Sequence, residues 1–183
     1  MLHHVPTRQQ RVCCGNGMGR RPVVNMGRPT RLMPYAHRTS TLVRVSPPHE
    51  LMEKYRSAFS RGDITAVMDC FGFPLHVLSA TGAEASISVA TAENWPDVLQ
   101  RLIDAYRRLR VVEAVPLTLT IDEPMKPVAT VRAHWALQRQ DGSSVYDFTA
   151  IYTLTRVDSQ LRIVAIAHDE LPALQAALLA TSR

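Results

Sequence analysis

Three runs near the C-terminal end, 128–138, 146–155 and 161–169, alternate apolar and polar residues. Asp141-Gly142 separates the first two, and Asp158-Ser159 separates the last two. Period-two alternation between such turn signals predicts an antiparallel meander. Taking Asp141-Gly142 as a two-residue hairpin turn sets Leu137 opposite Tyr146, Trp135 opposite Phe148, Ala133 opposite Ala150 and Val131 opposite Tyr152. All four pairs are apolar, as one buried face requires. Taking Asp158-Ser159 as the next turn sets Ala150 against Ala167, Tyr152 against Ala165, Leu154 against Ile163 and Phe148 against Asp169.

The apolar face then carries a row of three alanines, Ala133, Ala150 and Ala167, between the aromatic residues Trp135, Phe148 and Tyr152. Small side chains ringed by large ones leave a hollow unless a helix fills it. Asp169 is the one ionisable residue on that face. An odd loop length at one turn would flip 161–169 and bring His168 there instead. The opposite face carries Arg132, His134, Thr149, Ile151, Thr153, Val164, Ile166 and His168. Such a mixed face suits contact with a second subunit.

Upstream, the pattern is mostly helical. Pro47-Pro48 marks a start, and Leu51, Met52, Tyr55, Ala58 and Phe59 recur at helical spacing. Gly62-Asp63 breaks this run and caps a short second helix with Ile64, Val67, Met68 and Phe71 on one side, ending at Phe73-Pro74. Short strands are predicted at 75–80 and 84–90. A continuous stripe of Trp95, Val98, Leu99, Leu102, Ile103, Tyr106 and Leu109 predicts a long helix, the clearest element of the chain. Arg107, Arg108 and Arg110 close that helix, where its dipole favours cations. A strand over 114–121 turns at Asp122-Glu123-Pro124 into the meander, and a short helix is expected at 171–179. Helices covering one face of an antiparallel sheet make an α+β domain.

Charge divides the chain in two. Of the 21 Lys and Arg, eight arginines fall in residues 1–49, which hold no Asp or Glu; the remaining 13 face 16 acidic residues. The domain is thus mildly acidic, and no basic stripe for nucleic acid lies on its elements. Residues 1–47 lack periodicity and read as a disordered basic tail before a domain at 48–183. Met18, Met26 and Met33 are alternative starts, so part of the tail is a candidate for a mis-assigned reading frame; a targeting peptide and a basic arm for an acidic partner are the other readings. His3-His4 and Cys13-Cys14 are adjacent pairs without zinc-site spacing, so neither metal nor cofactor is expected. The domain's single cysteine, Cys70, reads as a core residue and suits a reducing cytoplasm. No apolar run approaches the roughly 18 residues of a membrane helix.

The element order over residues 48–170 resembles the nuclear transport factor 2-like superfamily, which includes SnoaL-like proteins, ketosteroid isomerase and scytalone dehydratase. The resemblance is carried by Tyr55-Arg56-Ser57-Ala58-Phe59-Ser60-Arg61-Gly62-Asp63, the Phe73-Pro74 strand entry, the Trp95–Leu109 helix, the Asp141-Gly142 hairpin and the ending Leu161-Arg162-Ile163-Val164-Ala165-Ile166-Ala167-His168. It implies a cone of helices over a curved sheet, an internal pocket for a small hydrophobic ligand, and a homodimer through the outer sheet face. The isomerases of that superfamily place a carboxylate base on the first strand; here Leu75-His76-Val77-Leu78-Ser79-Ala80 offers only His76.

Three functions follow as expectations: ligand binding without chemistry, a proton-transfer or dehydration enzyme acting on a cyclic or polyketide-like substrate, and a dimerisation module. The expected catalytic groups are Asp169, His168 and His76. The expected pocket is formed by Ala133, Trp135, Phe148, Ala150, Tyr152, Ala167 and Tyr106, with Tyr146 a further hydroxyl donor.

Overall fold

A computed structural model describes residues 46–181; the tail expectations, including the histidine and cysteine pairs, fall outside these residues. Pro47 and Pro48 open helix α1 (Pro47–Arg61), because proline's fixed φ suits the first turn and its missing N–H is not needed there. Gly62, at φ 63°, ends it in the left-handed region that glycine enters freely. Asp63 then accepts a hydrogen bond from the Ala66 N–H (3.0 Å) and caps α2 (Ile64–Met68).

Strand β1 (Phe71–Ala80) begins two residues before the expected Phe73-Pro74 boundary and pairs with β2 (Ala85–Ala90). Helix α3 (Trp95–Arg108) buries Trp95, Leu99 and Ile103 and ends with Arg107 and Arg108 in its last turn. The meander follows: β3 (Glu113–Met125), β4 (Val128–Gln138), β5 (Ser144–Val157) and β6 (Gln160–His168). Strand β3 runs through Asp122-Glu123-Pro124, where a turn was expected. Helix α4 (Glu170–Thr181) closes the described chain.

The sheet order is β2-β1-β6-β5-β4-β3. Every neighbouring pair is antiparallel except β1 and β6, which run parallel. The sheet is curved and unclosed. Its concave face is covered by α1 and α3. Met52, Ala58, Leu75, Leu99, Val131, Leu154 and Ile163 lie in this core at 2% exposure or less. Each large apolar side chain buried there contributes roughly 1.5–3 kcal/mol.

The β4–β5 register is as expected: Leu137 lies opposite Tyr146, Trp135 opposite Phe148, Ala133 opposite Ala150 and Val131 opposite Tyr152. It arises differently, however. Arg139 N–H donates to the Ser143 carbonyl (2.9 Å), which closes a longer loop than a two-residue turn. A register shift between Leu137 and Gln138 then restores the expected pairing.

The β5–β6 register departs from expectation after its first residues. Asp158 (φ 49°) and Ser159 (φ 66°) form the two-residue turn, and Leu154 lies opposite Ile163 as predicted. The next pair is Thr153 with Ala165, so Val164 is an extra residue on β6. Such a bulge reverses the faces of everything beyond it. His168 therefore lies opposite Ala150, and Ala167 moves to the outer face opposite Ile151. Ile166, expected outside, is 7% exposed in the core cluster. The row of three alanines is thus two alanines and a histidine.

The bulge is seated against a glycine. A Cβ on buried Gly72 would lie 2.9 Å from Val157 Cγ2 and 3.1 Å from Val164 Cγ1. Gly72→Ala is therefore expected to destabilise the fold by about 1–3 kcal/mol through overpacking. Urea denaturation checks this, and an unchanged midpoint would show that the bulge is not held this tightly.

Candidate functional site: an aromatic cavity between helices and sheet

Helices α1 and α3 leave a hollow over the concave sheet face. Its cavity volume is about 90 Å³, room for several water molecules. Tyr55 and Phe59 of α1 line it, with Trp95, Val98, Leu99, Leu102 and Tyr106 of α3. The sheet supplies Val77, Trp135, Leu137, Phe148, Ala150, Tyr152, Ile166 and His168; Arg56, Ala114 and Glu170 complete the wall. Spacing explains the helical contribution. Trp95 and Leu99 join the core shared with the sheet, Ile103 is buried beside Gly62 at the end of α1, and Val98, Leu102 and Tyr106 flank them half-buried.

The aromatic residues hold one another. Tyr55 meets Phe59, Phe71 and Tyr152 with ring centroids 5.3, 5.8 and 5.6 Å apart. Phe71 also meets Trp95 edge-on at 5.8 Å. Each such pair adds about 0.5–1.5 kcal/mol beyond its buried area. The Trp135 indole N–H donates to the Tyr152 hydroxyl (3.0 Å). Burial pushes the Tyr55 and Tyr152 hydroxyls well above the ordinary tyrosine range.

The polar groups are few. Glu170, the first residue of α4 and 5% exposed, accepts hydrogen bonds from the hydroxyls of Tyr106 and Tyr146 on one carboxyl oxygen; the Tyr146 bond is 2.8 Å. Three elements, α3, β5 and α4, therefore meet at one carboxyl group. Burial raises the Glu170 pKa, and the two tyrosine hydrogen bonds oppose that rise. His168 Nε2 hydrogen-bonds the buried Ser79 Oγ (2.9 Å), and burial lowers the pKa of its imidazole. Two buried polar atoms on the wall, Trp95 Nε1 and His168 Nδ1, find no partner among the described residues. Arg56 is not free: its guanidinium grips Glu53 (2.6 and 3.0 Å) and Glu113 (2.7 Å), tying α1 to β3.

Of the expected pocket residues, Trp135, Phe148, Ala150, Tyr152 and Tyr106 line the cavity. Ala133 is fully buried in the core beside it, and Ala167 faces the other way because of the bulge. Of the three expected catalytic groups, only His168 reaches the wall. Asp169 is exposed and accepts from the Thr149 N–H (2.7 Å). His76 is exposed on the outer face beside Ala165. Cys70 is fully buried, with its thiol donating to the Ala66 carbonyl (3.4 Å). No cluster of metal-binding side chains occurs among the described residues, and no helix there is long and apolar enough to cross a membrane.

Sequence reasoning missed Glu170 and Ser79. Ser79 carries no sequence signal beyond its place on the inward side of β1. Glu170 does carry one: it is the only ionisable residue in a mostly apolar helix, Glu170–Thr181. A charge at the head of such a helix must either face water or find buried donors.

Helices over one face of a curved sheet, with an internal cavity, define the class: a cone-shaped α+β domain. A family model described as NTF2-like protein (DUF6841) matches residues 49–171, and the chain belongs to this family. Solved structures with the same fold include an NTF2-like protein of unknown function from Shewanella oneidensis, 18% identical with a TM-score of 0.51, covering 66% of this chain and 93% of its own. An NTF2-like protein with a cystatin-like fold from Novosphingobium aromaticivorans is 19% identical with a TM-score of 0.52, covering 72% and 86%. A candidate ketosteroid isomerase from Shewanella frigidimarina is 10% identical with a TM-score of 0.51, covering 68% and 95%. No curated protein matches the chain.

The Glu170 carboxyl makes stability depend on pH in a stated direction. A carboxyl whose pKa is raised by folding contributes most at low pH, and the contribution is lost as pH rises from the ordinary value through the folded one, at about 1.4 kcal/mol per pH unit between them. The amide of Glu170→Gln can still accept from both tyrosines and has no proton to lose. The titratable groups that interact with it are Tyr106, Tyr146, Tyr55, Tyr152 and Asp169, none of which the substitution alters. We expect this variant to match the wild type near pH 4 and to exceed it in melting temperature at pH 7. Parallel melting curves across that range would mean that Glu170 titrates normally.

Proposed function

We propose that this domain binds a small, mostly apolar molecule in the cavity between α1, α3 and the sheet. The observation that carries the reading is the wall itself: predominantly aromatic and aliphatic, with a few buried polar groups, as small-molecule sites are built. Isopropylbenzene, detected by quenching of tryptophan fluorescence, is a suitable first probe. Ala150 is 1% exposed and forms part of the cavity floor. Ala150→Phe is expected to abolish binding while leaving the melting temperature near that of the wild type. A dense core would instead overpack, at about 1–3 kcal/mol; a strongly destabilised variant would therefore count against an open cavity.

The position of His168 supports a second reading, a proton-transfer or dehydration enzyme acting on a cyclic substrate. Burial disfavours its charged form, Ser79 fixes its orientation, and Glu170 places a carboxyl group on the same wall. Asp169 and His76 stay candidates only for roles outside the cavity.

A homodimer through the outer sheet face accords with a row of apolar residues there. Ile87, Leu78, Ala167 and Ile151 lie side by side across β2, β1, β6 and β5. Ile87 is 72% exposed, Ile151 39% and Leu78 36%. A second copy covers such a face with the same row. The buried free thiol of Cys70 fits a reducing cytoplasm. Leu78→Glu and Ile151→Glu are expected to halve the mass seen by light scattering at micromolar concentration. A wild type that is already monomeric there would overturn the dimer.

A further inference from the structure

Trp95 closes one part of the cavity wall and is 9% exposed. Its indole N–H has no acceptor among the described residues. An indole N–H can only donate, and a buried donor without an acceptor is costly. The other indole of the cavity is the contrast, since Trp135 gives its N–H to Tyr152. His168 Nδ1 is a second buried atom without a partner on the same wall.

The charges on the wall exclude one class of ligand. Among the described residues, Arg56 is its one lysine or arginine, and Glu53 and Glu113 already hold that guanidinium. Glu170 adds a buried acid, and its tyrosine partners point their hydroxyls at it rather than into the cavity. An anion entering here would lose its water, find no free cation and meet a carboxyl group. An uncharged molecule with one acceptor would lose little and would satisfy Trp95.

Granted the ligand-binding reading above, we propose that the cavity selects an uncharged aromatic molecule bearing a carbonyl-type acceptor, that the Trp95 N–H grips this acceptor, and that carboxylates and phosphates of similar shape are refused. Three one-ring probes separate the parts of this claim: acetophenone carries the acceptor, isopropylbenzene has the same outline without it, and benzoate carries a charge.

The test uses the full-length chain at pH 7, with titration calorimetry and the two indole N–H resonances of the ¹⁵N-labelled protein. Acetophenone is expected to bind about tenfold more tightly than isopropylbenzene, the discrimination of one neutral hydrogen bond. It should shift the Trp95 indole proton downfield and leave that of Trp135 in place. Benzoate should bind at least tenfold more weakly than acetophenone. In Trp95→Phe the preference for acetophenone should vanish while isopropylbenzene still binds; the wild-type resonances carry the test if that variant does not fold. Equal binding of acetophenone and isopropylbenzene, binding of benzoate as tight as that of acetophenone, or an unmoved Trp95 resonance at saturation would overturn the proposal and leave the ligand-binding reading standing. Failure of all three probes to bind at millimolar concentration would overturn both.

Discussion

Beyond Leu154 and Ile163, β6 carries one more residue than β5 across their shared ladder, and the inner surface of the domain depends on it. Because strand side chains alternate, the extra Val164 turns Ile166 and His168 toward the helices and sends Ala165 and Ala167 outward. The same shift sets His168 beside Ser79 in the parallel pairing with β1, where the two side chains hydrogen-bond. Without it, the third inner position would be alanine and the cavity would have no imidazole. Gly72 makes room for the bulge, since the valine side chains of Val157 and Val164 occupy the space a Cβ would need.

The second constraint is electrostatic. A carboxyl group at the head of α4 is buried against α3 and β5, where desolvation alone would be costly. Two tyrosine hydroxyls from different elements offset that cost. The arrangement joins the C-terminal helix to the cavity wall through hydrogen bonds that have direction, whereas the apolar contacts of Leu174 have none. It also means that the cavity's polar character comes from groups already engaged with one another. Among the described residues, only Trp95 and His168 keep a buried side-chain polar atom in reserve, so ligand selectivity rests on those two side chains. Arg56 plays the complementary part at the other wall, where its two carboxylate partners join α1 to β3 and leave no positive charge to spare.

The two sheet faces therefore do different work. The inner face is aromatic and enclosed, and the outer face carries an exposed apolar row from Ile87 to Ile151. Likeness to NTF2-like structures extends to this architecture. At below one-fifth sequence identity it carries no reaction across, because chemistry resides in particular side chains that the fold does not prescribe.

Residue pattern alone determined the helices, the strands and most of the pairing. The α3 stripe, the caps at Gly62 and Asp63, and the β4–β5 partners from Val131 to Leu137 were legible because local periodicity and turn chemistry act over short distances. Five of the seven expected pocket residues line the cavity for that reason. The tertiary structure decided the rest. A bulge costs one residue and has no strong local signature, so whether Ala167 or His168 faces inward depended on how Val164 packs against Val157 and against Gly72, a residue distant in sequence. The burial of Glu170 likewise required Tyr106 and Tyr146 to converge across gaps of 64 and 24 residues. Alternation along a strand is a local property, whereas a strand's shift against its neighbour and the partners of a buried charge are set only when the whole domain packs.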